Sequence, residues 1–223
     1  MYSLIFDTTA ASCSIVLGQN DKIIADFSRE MDFGQSEELI VRLKDMLTAN
    51  HLKFTDIGAV FVCTGPGSFT GVRASISAAK VFALTSPELI VSGFSAFDAY
   101  ILDLSPSEIS TLNAVIIETR RDDFYVRFYD EHLCPTCEPQ ALSREEIIAV
   151  LKSHGRAVSL IGDGLARFLS QPSGLVLQGI KLCNYLPTSA LFKAARQQLV
   201  SKKFNFPKPL YLRPADVTMP KNI

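Results

Sequence analysis

The 223-residue sequence predicts an α/β protein made of two related halves. Strand-length apolar stretches alternate with stretches whose apolar residues recur at helical spacing, and the order of these elements in the first hundred residues returns, degraded, in the second hundred. A third observation is the turn Gly65-Pro66-Gly67-Ser68-Phe69-Thr70-Gly71, set between an apolar strand and a helix.

Residues 2–6, 13–17 and 22–27 are short, partly alternating apolar stretches separated by polar turns, the pattern of a meander. A helix is expected over 36–48, where Leu39, Ile40, Leu43, Met46 and Leu47 form one stripe. Ser36 is placed to cap it, and Glu37 and Glu38 suit the positive end of its dipole. Residues 57–63 form a near-continuous apolar run, as expected of a strand covered on both faces. A helix over 70–84, with Ser68 or Thr70 of the glycine turn as its cap, and a strand over 89–91 complete the first half.

In the second half, residues 112–117 and 124–129 read as strands, and the segment after Cys137 leaves room for a third. Ser143 opens a helix with a capping-box pattern through Glu146. A strand over 158–161, a short helix over 163–169, a short strand over 175–177 and a helix over 188–202 complete this half. The halves divide near 103–110, where Pro106 favours a break, giving expected domains 1–105 and 106–223. Pro207, Pro209, Pro214 and Pro220 make residues 206–222 an extended tail. Lys202, Lys203, Lys208, Arg213 and Lys221 make this the most basic region of the chain.

Composition excludes several classes. A formal charge of -1 lacks the bulk basic character of a constitutive nucleic-acid binder, and 48% hydrophobic residues suffice for a substantial core. The apolar runs fall short of the roughly 20 residues that cross a bilayer. No basic leader and cleavage site can be read at the start, so a cytoplasmic location and no membrane partner are expected. Five cysteines cannot all pair, and Cys13 and Cys63 read as buried thiols. Cys134-Pro135-Thr136-Cys137 has the spacing of a redox pair or half a zinc site, without the second pair that would complete one.

No catalytic residue is predicted. His51, His132 and His154 are scattered, and Ser68 lacks a Gly-x-Ser-x-Gly elbow. The glycine turn itself is open to two readings. It is a structural tight turn, or an anion site in which Gly67, Ser68, Thr70, Gly71 and the free N–H groups of a helix start surround phosphate. Asp7, at the end of the first strand, either receives turn N–H groups or holds a cation there. The helix beyond the turn is rich in small residues, Ala74, Ser75, Ser77, Ala78, Ala79 and Ala83, which permit close approach of another helix.

The blocks LIFDTTAASCSIVL at 4–17, GPGSFTGVRASISAAKVFAL at 65–84, ETRRDDFYVRFYD at 118–130 and PLYLRP at 209–214 together resemble the TsaB family, also called YeaZ. That family is the dimerisation subunit of the bacterial tRNA threonylcarbamoyladenosine-modifying complex. The resemblance implies an actin-like ATPase (ribonuclease H-like) fold of two related domains, with mixed sheets flanked by helices. It implies an accessory subunit that is not itself an enzyme, supporting a TsaD-type threonylcarbamoyltransferase, with a TsaE-type ATPase in a larger complex and tRNA reached through that complex.

The family's partner contact corresponds here to the helices over 36–48 and 70–84, with Leu39, Leu43, Val72, Ile76 and Ala79 as candidate contacts. A homodimer is expected when the chain is alone. No cofactor is expected, and weak nucleotide or Mg2+ binding around Asp7 and the glycine turn stays open. Gln35-Ser36-Glu37 replaces a His-Ser-Glu common in relatives, and Glu118-Thr119-Arg120 replaces an Asp-Ala-Arg. Both changes argue against independent metal-dependent catalysis. The alternative is an autonomous nucleotide-dependent hydrolase or transferase using the interdomain cleft.

Overall fold

The computed structural model describes residues 1–84 and 86–213. Pro214, Pro220 and Lys221 of the expected tail lie outside the described residues. The chain runs β1 (Tyr2–Asp7), β2 (Ser12–Gln19), β3 (Lys22–Glu30), α1 (Gln35–Ala49), β4 (Ile57–Cys63), α2 (Phe69–Ala83), β5 (Ile90–Phe94) and α3 (Ala96–Ile101). It continues through β6 (Asn113–Glu118), β7 (Asp123–Tyr129), β8 (Gln140–Ser143), α4 (Arg144–Ser153), β9 (Val158–Gly162), α5 (Leu165–Phe168), β10 (Leu177–Leu182) and α6 (Thr188–Ser201).

Two five-stranded mixed sheets result, ordered β3-β2-β1-β4-β5 and β10-β9-β6-β7-β8. In each, three strands form an antiparallel meander and the remaining two join in parallel. The parallel crossovers of the first sheet are α1 and α2. Alternation along β1 assigns its two faces. Leu4 and Phe6 join Leu39, Leu43, Met46 and Leu47 of α1 and Ala79 and Phe82 of α2. Ile5 faces the other way, into a core shared with α3, α6 and the second sheet's Val115, Ile117 and Ile161. The far face of the second sheet is closed by α4 and α5 through Ile147, Leu151, Leu165 and Phe168.

The last helix therefore returns from the second half to pack on the first sheet. Its Gln198 side chain donates to the Gly93 carbonyl at the outer edge of β5. Buried Asp103, just after α3, accepts from Lys181 of β10 at 2.8 Å and from Lys193 of α6 at 3.2 Å. One carboxylate thus ties the linker between the halves to a strand of the second sheet and to the returning helix.

Several local expectations are corrected. Ser36 does not cap α1; the cap position is Gly34 in a left-handed conformation (φ 81°), and Ser36 lies inside the first turn. Helix α3 was not read from sequence, although Ser95 and Asp98 form a reciprocal capping box at its start. At six residues it is too short to show a helical period. The strand expected over 175–177 is Leu177–Leu182; an edge strand with one buried residue needs no apolar run. None of the helices among the described residues is long and apolar enough to cross a membrane.

Candidate functional site

The turn after β1 and the glycine turn after β4 are built as one unit. Ser68 donates its N–H to the Thr9 carbonyl at 2.7 Å. The Thr8 hydroxyl donates to the Gly71 carbonyl at 2.7 Å and lies 2.6 Å from the Ser75 hydroxyl, which also accepts the Thr8 N–H. A Cβ on Gly67 would overlap the Thr9 carbonyl, and one on Gly71 the Thr8 carbonyl. Gly65 has φ 97°, a conformation that favours glycine. These glycines admit the chain's own backbone at distances any side chain would forbid.

The helix start is also largely self-satisfied. Ser68 caps α2 by accepting the Gly71 N–H at 3.3 Å, and its carbonyl accepts the Val72 N–H. Of the first N–H groups, those of Phe69 and Thr70 have no acceptor within the helix, as at any helix start. Thr70 itself is exposed and is not the cap. Asp7 is fully buried beneath this unit. Its Oδ1 accepts the Thr9 N–H at 2.8 Å, and its Oδ2 has no hydrogen-bond partner. Burial pushes its pKa up, against the lowering effect of the Thr9 N–H. Of the five residues expected at an anion site, Gly67, Ser68 and Gly71 pack against Thr8 and Thr9, Asp7 is buried and receives the Thr9 N–H, and Thr70 is exposed.

Between the two sheets lies a cleft of about 720 Å³, lined by Thr9, Gly67, Ser68 and Phe69 on one side and by Glu118, Thr119, Arg120, Arg121 and Asp163 on the other. Burial opposes the charge of Glu118, but the Arg167 fork (2.7 and 2.8 Å) and the Arg120 N–H (2.6 Å) outweigh it and hold the carboxyl below its ordinary range. Asp163 accepts the Glu118 N–H at 3.0 Å, and burial raises its pKa to about 7. The charged turn after β6 is therefore part of a cleft wall. Arg120 reaches across the mouth to Asp32 at 3.1 Å, both side chains being exposed.

Cys134 is exposed, and Cys137 packs partly against the outer core of the second sheet. Among the described residues no group of three or more His, Cys, Asp or Glu is arranged to hold a metal ion.

The outward surface of α1 and α2 carries exposed apolar side chains: Ile40 (56%), Val41 (52%), Val81 (59%) and Leu84 just past α2 (87%). Leu39, Leu43, Val72, Ile76 and Ala79, the expected partner contacts, are all buried within the chain. Their side chains are covered by the chain itself. Leu39, Leu43 and Ala79 form part of the core beneath the first sheet, so the stripe with the clearest helical period is consumed internally. Ile40, read from sequence as part of the α1 stripe, is exposed instead.

The TsaD family model, described as tRNA N6-adenosine threonylcarbamoyltransferase, matches residues 34–125. The tRNA threonylcarbamoyladenosine biosynthesis protein TsaB of Escherichia coli (strain K12) is 30% identical over 192 residues, covering 80% of this chain and 79% of that protein. The chain belongs to the TsaB family. The Bacillus subtilis (strain 168) TsaB is 25% identical, covering 73% of this chain and 71% of that protein. Among solved structures, YeaZ from Pseudomonas aeruginosa superposes with a TM-score of 0.79 at 18% identity, covering 95% of this chain and 99% of that one. The fold of this TsaB-family chain is accordingly the actin-like ATPase (ribonuclease H-like) one, with open mixed sheets flanked by helices.

Sequence reasoning missed the role of the TsaB-family tail. Its described part does not run free: Asn205 pairs with Ser92 and Gly93 at the edge of β5, and Leu210 donates its N–H to the Thr64 carbonyl at 2.9 Å. The readable signal was PLYLRP, whose apolar and aromatic residues have no use in solvent.

Proposed function

We propose that this chain is the non-catalytic partner subunit of a TsaD-type threonylcarbamoyltransferase, supporting modification of the adenosine beside the anticodon of tRNA without performing the transfer. The observation that carries this is the outward face of α1 and α2, where Ile40, Val41, Val81 and Leu84 are exposed on elements whose inner stripes are already buried. Family membership supplies the identity of the partner. The TsaD model's match over 34–125 includes both helices, which supports a pseudo-symmetric contact between like helix pairs. The same symmetry makes a homodimer the form of the isolated chain. A TsaE-type ATPase and tRNA belong to the larger complex in this reading, and residues 1–105 and 106–223 act as its two domains.

Mixing the purified chain with a TsaD-type subunit and following mass by light scattering, together with tRNA modification, tests this. A heterocomplex at micromolar concentration and modification that depends on this chain are expected. Separate masses, with modification undiminished when the chain is omitted, reject it.

A second reading keeps one observation. The start of α2 contributes Ser68 and Phe69 to the wall of a cleft of nucleotide size, so weak binding of ATP or Mg2+-ATP there is a secondary property of this reading. Titration calorimetry with ATP, with and without Mg2+, checks it; heat indistinguishable from dilution at millimolar nucleotide removes it.

A further inference from the structure

We infer that residues 203–213 form a strap that fastens the first turn of α2 to the second sheet across the cleft, so that cleft closure sets the pose of a partner-facing helix. The inference rests on the reading of α1 and α2 as the partner surface. The strap is anchored at several points in chain order. Asn205 accepts the Gly93 N–H at 2.7 Å and donates its own N–H to the Ser92 hydroxyl at 2.8 Å, which extends the outer edge of β5. Pro207 is buried against Gly93. Leu210 donates to the Thr64 carbonyl, directly before the glycine turn. The Tyr211 ring stacks on Phe69 at 5.3 Å, and its hydroxyl accepts from Arg73 Nε at 3.2 Å. Arg213 then pairs with Asp123 at the start of β7, in the second sheet, with both side chains largely enclosed.

Arg73, the fifth residue of α2, ties the strap to the start of the helix. Its guanidinium lies 3.8 Å over the Phe69 ring and its Nε donates to Tyr211, so Phe69, Arg73 and Tyr211 form one stacked group. Leu210, Tyr211, Leu212 and Arg213 also line the cleft. A change in separation of the sheets therefore pulls on Arg213 and, through Tyr211 and Leu210, on the turn that aims α2.

The test uses the full chain with Arg213→Gln, Tyr211→Ala and, as a control in the same segment, exposed Lys208→Ala. Amide hydrogen exchange over residues 64–76 and affinity for the TsaD-type subunit are measured for each. Arg213 is anchored on the second sheet, away from α2, so faster exchange over 64–76 in Arg213→Gln, together with affinity weakened about fivefold or more, is the expected result. Tyr211→Ala should do the same, and Lys208→Ala should match the parent. Unchanged exchange over 64–76 in Arg213→Gln overturns the strap, and faster exchange with unaltered affinity overturns its link to the partner. Circular dichroism confirms that each variant folds. If the parent chain binds no TsaD-type subunit, the partner reading and the link both fall, and exchange alone judges the mechanical connection.

Discussion

Thr8 and Ser75 meet twice, once through the Thr8 N–H at 3.1 Å and once between their hydroxyls at 2.6 Å, and both groups are buried. This pair locks the turn after the first strand onto the small-residue helix. A serine in that helix is thus a polar partner for a turn 67 residues earlier, not only a small side chain.

That lock leads to a first prediction. Thr8→Val and Ser75→Ala should each lower stability by about 1–2 kcal/mol, the usual loss when a buried hydrogen bond is removed. Gly71→Ala should cost more, about 3 kcal/mol or above, because its Cβ overlaps the Thr8 carbonyl. Urea unfolding measures all three; a Gly71→Ala midpoint equal to the parent's would show that the two turns are not rigidly joined.

Partner binding and folding should separate along α1 and α2. Ile40→Asp and Val81→Arg alter exposed positions, so stability should stay within about 0.5 kcal/mol of the parent while association with the TsaD-type subunit is lost or weakened at least tenfold. Ala79→Arg places a charge in the core and should prevent folding. Calorimetry paired with thermal melting decides. Val81→Arg binding with parental affinity, or Ala79→Arg folding normally, would contradict the division of the helix faces.

Asp103→Asn should loosen the join between the halves. The carboxylate is almost enclosed and answers two lysines, which keep part of their solvent contact, so a loss of about 1–2 kcal/mol is expected. The deficit should shrink at high salt, where the parent's pairing is weakened. Urea midpoints at two salt concentrations check both statements.

The Asp163 carboxyl binds its proton more tightly in the folded chain than in the unfolded one, because burial raises its pKa to about 7. Its contribution to stability is therefore complete below the unfolded value near 4 and is lost as pH rises towards 7. Asp163→Asn, which keeps an acceptor for the Glu118 N–H, should flatten that decline and be the more stable form relative to the parent at pH 8. Unfolding midpoints from pH 4 to 8 test this, and parallel curves for parent and variant would reject it.

Much of the architecture was legible because it is written in local apolar patterning. The strands at the centre of both sheets are short continuous apolar runs, and the helices α1, α2, α4 and α6 are each long enough to show a period of 3.6 residues. Helix α3 was missed because six residues carry too little pattern, and β10 was misplaced because an edge strand needs few apolar residues. The side chains expected to meet a partner are buried for a different reason. Helical spacing identifies a buried stripe, but whether sheet or partner covers it depends on what else the chain packs there.

The segment from Gly65 to Gly71 shows the same division. Its residue types already required a tight turn opening into a helix, since glycine permits positive φ and close approach while Ser68 caps the start. What approaches those glycines was beyond the reach of local pattern. A phosphate and the carbonyls of Thr8 and Thr9 make the same demand for missing side chains. Only the parallel pairing of β1 with β4, which brings distant stretches of the chain into register, decided that the chain's own backbone occupies that space.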